Sequence, residues 1–245
     1  MKNLKICILI IGRLDTFETC YESLRKYILE PLNVDVFFSG YPNFLGLEYC
    51  ENKIEELWKP KKYCLRDYTD IIRKEIHLDD SRFIRKRSEC TPHTWLSGMY
   101  NLKISNKLKN EYEKENNFKY DICIKSRTDA IWHSYITNEE IDLVLKDSKN
   151  ILIPTAWDFK EVHNLGCSDV SCVTSSHGMD IYSSCIDFID EYYDSGEVFH
   201  PESLLGIHIN NFLNRISIKT GIDPHTNQPN QSGWCVIDPN RKKSF

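Results

Sequence analysis

Ile6-Cys7-Ile8-Leu9-Ile10-Ile11-Gly12-Arg13 and, further along, Val34-Asp35-Val36-Phe37-Phe38-Ser39-Gly40 bracket a stretch of different periodicity. The first run is apolar without interruption, the pattern of a strand covered on both faces. Phe17, Tyr21, Leu24 and Ile28 then recur at helical spacing from about Asp15, and Pro31 is expected to stop that helix. The second run, Val34 to Phe38, reads as another strand, ended by the turn Ser39-Gly40-Tyr41-Pro42. Strand over residues 4–11, helix and strand make a βαβ unit, which requires parallel pairing and a right-handed crossover. The fold class is therefore α/β, with parallel strands flanked by helices.

The rest of the chain extends this unit without a convincing linker or repeat, so residues 1–245 are expected to form one domain. A short helix is expected around Asn52–Trp58. A long one begins at Thr91-Pro92, where proline suits the first helical position. Leu96, Tyr100, Ile104, Leu108 and Tyr112, widened by Trp95, Met99 and Leu102, mark its core face, and Glu111–Asn117 reads as a solvated tail. Tyr120-Asp121-Ile122-Cys123-Ile124-Lys125 is a strand that delivers Ser126-Arg127-Thr128-Asp129 at its end. Thr137-Asn138-Glu139-Glu140 is a capping box, and Ile151-Leu152-Ile153 is a short strand. Residues 155–177 form the longest loop-like stretch, two helices follow, and 221–245 read as an irregular tail.

Composition narrows the partners. The chain carries 31 Lys+Arg against 36 Asp+Glu, a formal charge of −5, so no global positive field attracts nucleic acid. No stretch approaches the ~18 apolar residues of a membrane span. The apolar run after Lys2 and Lys5 is too short for a signal peptide and lacks a small-residue cleavage site, which points to a cytoplasmic protein. The 10 cysteines then read as buried reduced thiols, since a chain of 245 residues can build a core without disulfides. The spacing His163-x3-Cys167-x4-Cys172-x4-His177 lacks the tight ligand pairs of structural zinc, and no CxxC occurs.

In an open α/β sheet, ligands bind beyond the carboxyl ends of the strands, near the topological switch point. Gly12-Arg13, Ser39-Gly40 and Arg127-Thr128-Asp129 all fall at such ends. GxxxxGK[ST], GxGxxG and GxSxG are absent, which disfavours P-loop enzymes, dinucleotide dehydrogenases and α/β-hydrolases. Arg127 and Asp129, two apart, project to one side if strand geometry persists. The guanidinium suits a diphosphate, and the carboxylate suits a divalent cation bridging the same diphosphate. The plain alternative is an exposed ion pair at a strand end. Arg85-Lys86-Arg87 offers phosphate contacts or a solvated basic turn. Trp132 and Trp157 offer stacking for a sugar ring or ordinary packing, and His208, amid Leu205, Ile209 and Phe212, reads as a packed histidine.

Taken together, Ile11-Gly12-Arg13-Leu14-Asp15-Thr16, Asp35-Val36-Phe37-Phe38, the Tyr112-Glu113 stretch, Tyr120 through Asp129 and the late His200-Pro201-Glu202 resemble small GT-A-type glycosyltransferases. Relatives of that kind occur in bacterial surface-polysaccharide loci and in large DNA viruses. The resemblance spans about residues 4–216. It implies a GT-A-like (Rossmann-like) fold, a single domain with a mixed, mainly parallel sheet flanked by helices. In it about 1–130 bind a nucleotide-sugar donor through Gly12, Arg13, Ser39, Arg127 and Asp129, while about 131–220 hold a glycan or other hydroxyl acceptor. Such enzymes usually show Asp-x-Asp where this chain has Arg127-Thr128-Asp129. The implied divalent cation, Mn²⁺ or Mg²⁺, would rest on Asp129, donor phosphates and water, and Arg127 would neutralise part of the pyrophosphate. The resemblance also points to Asp169 as the base that deprotonates the acceptor, with Glu202 second and Asp158 and Asp180 as lesser candidates. Two other functions fit the same sheet: a catalytically silent GT-A-like module that binds a glycan or nucleotide sugar, and a nucleotidyltransferase.

Overall fold

Strand β1 (Ile6–Arg13) begins as its apolar run dictates: Ile6 through Ile11 are buried, and only Gly12 and Arg13 reach a half-buried end. In this computed structural model residues 4–42, 44–66, 83–84, 92–154, 166–218 and 234–237 are described. Helix α1 (Phe17–Leu24) runs on through a π-helical turn (Arg25–Leu29) and a last turn (Glu30–Leu32), closing at a left-handed Asn33 with φ 47°. Pro31 lies inside that last turn instead of stopping the helix ahead of it. The widened turn comes immediately before Pro31, whose ring lacks the N–H that a regular α-turn would use.

Strand β2 (Asp35–Tyr41), helix α2 (Leu47–Leu57) and strand β3 (Lys62–Leu65) carry the sheet outward on one side, each strand parallel to its neighbour. Helix α3 (Pro92–Glu115) brings the chain back to β4 (Ile122–Arg127), parallel to β1 on its other side. This reversal makes the β1/β4 boundary the topological switch point.

Beyond β4 the sheet turns mixed. A small antiparallel ribbon joins β5 (Ala130–Trp132) to β9 (Cys235–Ile237). Helix α4 (Asn138–Lys146) starts at the expected capping box: Glu140 N donates to Thr137 Oγ1 (3.2 Å) and Thr137 N donates to Glu140 Oε2 (2.8 Å). Strand β7 (Cys172–Thr174) lies antiparallel between β4 and β6 (Asn150–Pro154), and β8 (Asn214–Ile218) is parallel to β6. The strand order is β3-β2-β1-β4-β7-β6-β8. Helices α5 (Ser176–Ser183), α6 (Ile189–Asp194) and α7 (Pro201–Phe212) complete the chain.

Side-chain alternation along β1 and β4 divides the interior in two. Cys7, Leu9, Ile11 and Cys123 pack with α3, α5, α6 and α7, whereas Ile8, Ile10, Ile122 and Ile124 pack with α1, α2 and α4. The expected mixed, mainly parallel, single-domain α/β architecture is thus found. Among the described residues no helix is long and apolar enough to cross a membrane.

Three local expectations change. The stretch expected as loop over 155–177 contains the central strand β7, and the tail expected to be irregular contains β9, because three-residue strands carry too few alternations to reveal a period. The inward face of α3 is centred on Trp95, Leu96, Met99 and Leu102 and continues through polar Ser105, Asn106, Lys109 and Glu113, while Tyr100, Ile104, Leu108 and Tyr112 are half-buried. Glu113, placed by sequence in a solvated tail, is fully buried. It accepts hydrogen bonds from Tyr120 N (3.0 Å), Ser176 Oγ (2.7 Å) and Lys119 Nζ (2.6 Å), with buried Lys109 at 3.7 Å, which offset the cost of enclosing a carboxylate.

Candidate active site at the β1/β4 strand ends

The ends of β1, β2 and β4 meet with almost no space between them. Gly12 adopts φ +130°, and a Cβ there would lie 2.6 Å from Thr128 Oγ1; a Cβ on Gly40 would lie 1.9 Å from the Gly12 carbonyl oxygen. Only glycine fits both positions. Thr128 straps the turn after β4 onto β1, its N donating to Ile11 O (3.0 Å) and its Oγ1 to Arg13 O (2.7 Å). Arg127 and Asp129 therefore stand at a fixed place on the switch point.

These two form a bidentate pair: Arg127 Nε donates to Asp129 Oδ1 (2.9 Å) and Nη2 to Oδ2 (2.8 Å). The third nitrogen, Nη1, lies 3.5 Å from Asp169 Oδ1. The side chains of Arg127, Asp129 and Asp169 are 26%, 16% and 22% exposed, so the pair is partly enclosed and joined by a second carboxylate, not left in open solvent. Burial works against the guanidinium charge, but Asp129 and Asp169 beside it more than reverse that and raise its pKa.

Asp169 is held from behind. Lys125, fully enclosed two residues before Arg127 on the same face of β4, donates through Nζ to the carbonyl oxygens of Asp169 and Val170 (3.3 Å to the latter). Burial lowers the Lys125 pKa and Asp169 opposes the shift. Sequence reading passed over Lys125 as the polar end of a strand. The available signal was a lysine in phase with Cys123, on a face that elsewhere is core. The loop is also tied to α7, since Cys167 N donates to Glu202 O (3.0 Å). Glu202, in the first turn of α7, has its carboxyl pKa raised by burial and then by Asp169, and His200 Nε2 lies 3.6 Å from its Oε2. Arg127, Asp129, Asp169 and Glu202 thus come together from three separate stretches of chain.

Other candidate residues stand elsewhere. Gly12 shapes the backbone here, and Arg13 pairs with Asp15 at the same strand end. Ser39 is buried and donates to Asn101 Oδ1 (2.9 Å), so its hydroxyl is committed inside the protein. Asp180 belongs to the polar cluster under α3, accepting from Asn106 and Asn110 (both 2.8 Å); burial raises its pKa, but Lys109 and these hydrogen bonds together outweigh that and lower it. Trp132 is core, stacked on Trp234 at 6.3 Å, with Nε1 donating to Ser126 Oγ (3.1 Å). His208 is fully buried, as its apolar neighbours implied. Asp158, Trp157, His163 and Arg85-Lys86-Arg87 lie outside the described residues.

A divalent cation at Asp129 finds poor support in this donor set. Both carboxylate oxygens already accept from Arg127, and among the described residues no group of three His, Cys, Asp or Glu side chains is disposed to hold a metal. The residues present do not fit the cation that the resemblance implied.

No protein-family model matches the chain, and no curated protein matches it in sequence. Among solved structures it is similar to mouse xyloside xylosyltransferase 1 in its apo form, at 12% identity and a TM-score of 0.48 over 85% of this chain and 82% of that one. It is also similar to the glycosyltransferase GlyE of Streptococcus pneumoniae TIGR4, at 11% identity and a TM-score of 0.45 over 87% of this chain and 46% of that one.

Proposed function

We propose that the chain is a glycosyltransferase that moves a sugar from a nucleotide-diphosphate sugar to a hydroxyl of a glycan or other acceptor. The observation that carries this reading is the position of Arg127, flanked by Asp129 and Asp169, at the switch point of a parallel sheet. A guanidinium at that place suits the diphosphate of a donor lying across the first βαβ unit, and a carboxylate beside it suits the acceptor. In this scheme residues up to about 130 hold the donor and those from about 131 to 220 the acceptor.

Asp169 takes the proton from the acceptor hydroxyl as its oxygen attacks the anomeric carbon. The bond to the diphosphate oxygen breaks, and the departing nucleoside diphosphate is stabilised by Arg127. Glu202, with its raised pKa beside Asp169, is the second carboxyl of the site. We place the protein in a reducing compartment, the cytoplasm. None of the nine described cysteines is in a disulfide, not even Cys7 and Cys123, whose Sγ atoms lie 3.4 Å apart on neighbouring strands, which supports that placement.

The test is a thermal-shift panel of UDP, GDP and TDP and their sugars, followed by a donor-hydrolysis assay. A ligand at 100 Kd should stabilise by about 2.7 kcal/mol. Asp169→Asn should abolish turnover while leaving donor affinity within a few-fold. Absence of any response across the panel would refute the reading. Binding without turnover for every donor and acceptor would leave a silent binding module, and pyrophosphate release from a nucleoside triphosphate would indicate a nucleotidyltransferase.

A further inference from the structure

We infer that the Arg127 guanidinium takes the place of a metal ion at this site, so that the donor diphosphate binds through its N–H groups without a divalent cation. The inference rests on the glycosyl-transfer reading and adds to it the identity of the group that meets the phosphates.

Three observations support it. The first is hydrogen-bond accounting. A guanidinium has five N–H donors. Asp129 uses the Nε–H and one Nη2–H, and Asp169, at 3.5 Å from Nη1, stands at ion-pair range without a hydrogen bond to it. The second Nη2–H and both Nη1–H groups make no hydrogen bond among the described residues, and they lie on the planar edge that matches phosphate oxygens.

The second is rigidity. Asp129 grips the opposite edge of the guanidinium in two hydrogen bonds, and Thr128 between them is strapped to β1. The group is held before the ligand arrives, so little side-chain entropy remains to be lost on binding.

The third is charge. The Arg127 guanidinium faces two carboxylates, Asp129 and Asp169, while Lys125 on the same face of β4 donates to the carbonyl oxygens of Asp169 and Val170. An Asp-x-Asp site needs a metal to hold its acids together, whereas here Arg127 supplies the positive charge between the acids itself. A cation added at Asp129 would have to displace Arg127 from both oxygens and then sit beside it.

The experiment is calorimetric titration of the full chain with UDP, GDP and TDP, in excess EDTA and again in excess Mn²⁺. The tightest diphosphate should bind with Kd values within about twofold of each other in the two conditions. Arg127→Lys keeps one positive charge but loses the planar fork, and should weaken binding by ~10- to 100-fold, the worth of about one charged hydrogen bond. Mn²⁺ should not rescue it. A melting curve of the unliganded variant confirms that it folds. Binding that EDTA abolishes and Mn²⁺ restores would overturn this inference and leave the glycosyl-transfer reading standing, as would an Arg127→Lys variant that binds like the unaltered chain. No binding of any diphosphate in either condition would overturn both.

Discussion

Replacing Gly40 with alanine would put a methyl group 1.9 Å from the Gly12 carbonyl oxygen and 2.7 Å from Phe38 Cζ. A carbon and a carbonyl oxygen come no closer than ~3.3 Å even in favourable contacts, so the two atoms must separate by well over 1 Å. The nearer obstacle is backbone, and it cannot rotate away. Gly40 and Gly12 are register partners on β2 and β1, two central strands, so separation there also loosens their ladder. Overpacking costs about 1–3 kcal/mol and each weakened hydrogen bond about 1 kcal/mol, giving an expected loss of ~3 kcal/mol or more. That is a large part of a typical ~5–15 kcal/mol of total stability, and for a chain of this size it lowers Tm by ~6–12 °C. Gly98→Ala is the matched control: it lies in α3, a Cβ there would meet nothing within 4 Å, and it should stabilise by ~0.5–1 kcal/mol. Urea and thermal unfolding of the two variants measure both values. If Gly40→Ala unfolds within 1 kcal/mol of the unaltered chain, the close approach of β1 and β2 described here is wrong.

Glu113→Ala should cost about 3–5 kcal/mol in urea unfolding, because it leaves Lys109 enclosed beside an emptied carboxylate position; a loss under ~1 kcal/mol would show that the cluster is not a coupled unit. The pKa of His208 is lowered from 6.5 by burial, with Nε2 2.8 Å from Ile181 O and Nδ1 2.9 Å from Tyr192 OH. The unfolded chain therefore takes up this proton first, stability is full above 6.5 and falls as pH drops below it, and His208→Gln should flatten that part of a stability-against-pH curve. A maleimide should label half-buried Cys64 well before Cys167, Cys172 or Cys235, which are buried, the latter two with thiol pKa values pushed up to about 12. Cys167 and Cys172 flank Asp169, but native-state labelling will not report on that loop, and rapid modification of either would contradict the packing of β7.

Much of the fold was legible because apolar periodicity reports burial directly. The run Ile6–Ile11, the helical spacing from Phe17 to Ile28 and the Thr137–Glu140 box each describe their own neighbourhood, and each appears in the structure. Strands β5, β7 and β9 were not legible, since each is three residues long and formed where a neighbouring strand offered unpaired backbone. The same limit applied to charged residues. Glu113 and Lys125 look like surface residues in any local window. They are buried because their partners, Ser176 for one and the Asp169 and Val170 carbonyls for the other, arrive from distant parts of the chain.

For the candidate site, the sequence by itself determined that a βαβ unit would form and that Gly12, Gly40 and Arg127-Thr128-Asp129 would fall at strand ends, since strand direction and length follow from local pattern. Only the tertiary structure decided that Asp169 and Glu202 would stand with Arg127 while Ser39 turned inward to Asn101. Which charges meet depends on how β4, the loop before β7 and the start of α7 pack, and electrostatic pairing acts through space with no trace in residue spacing.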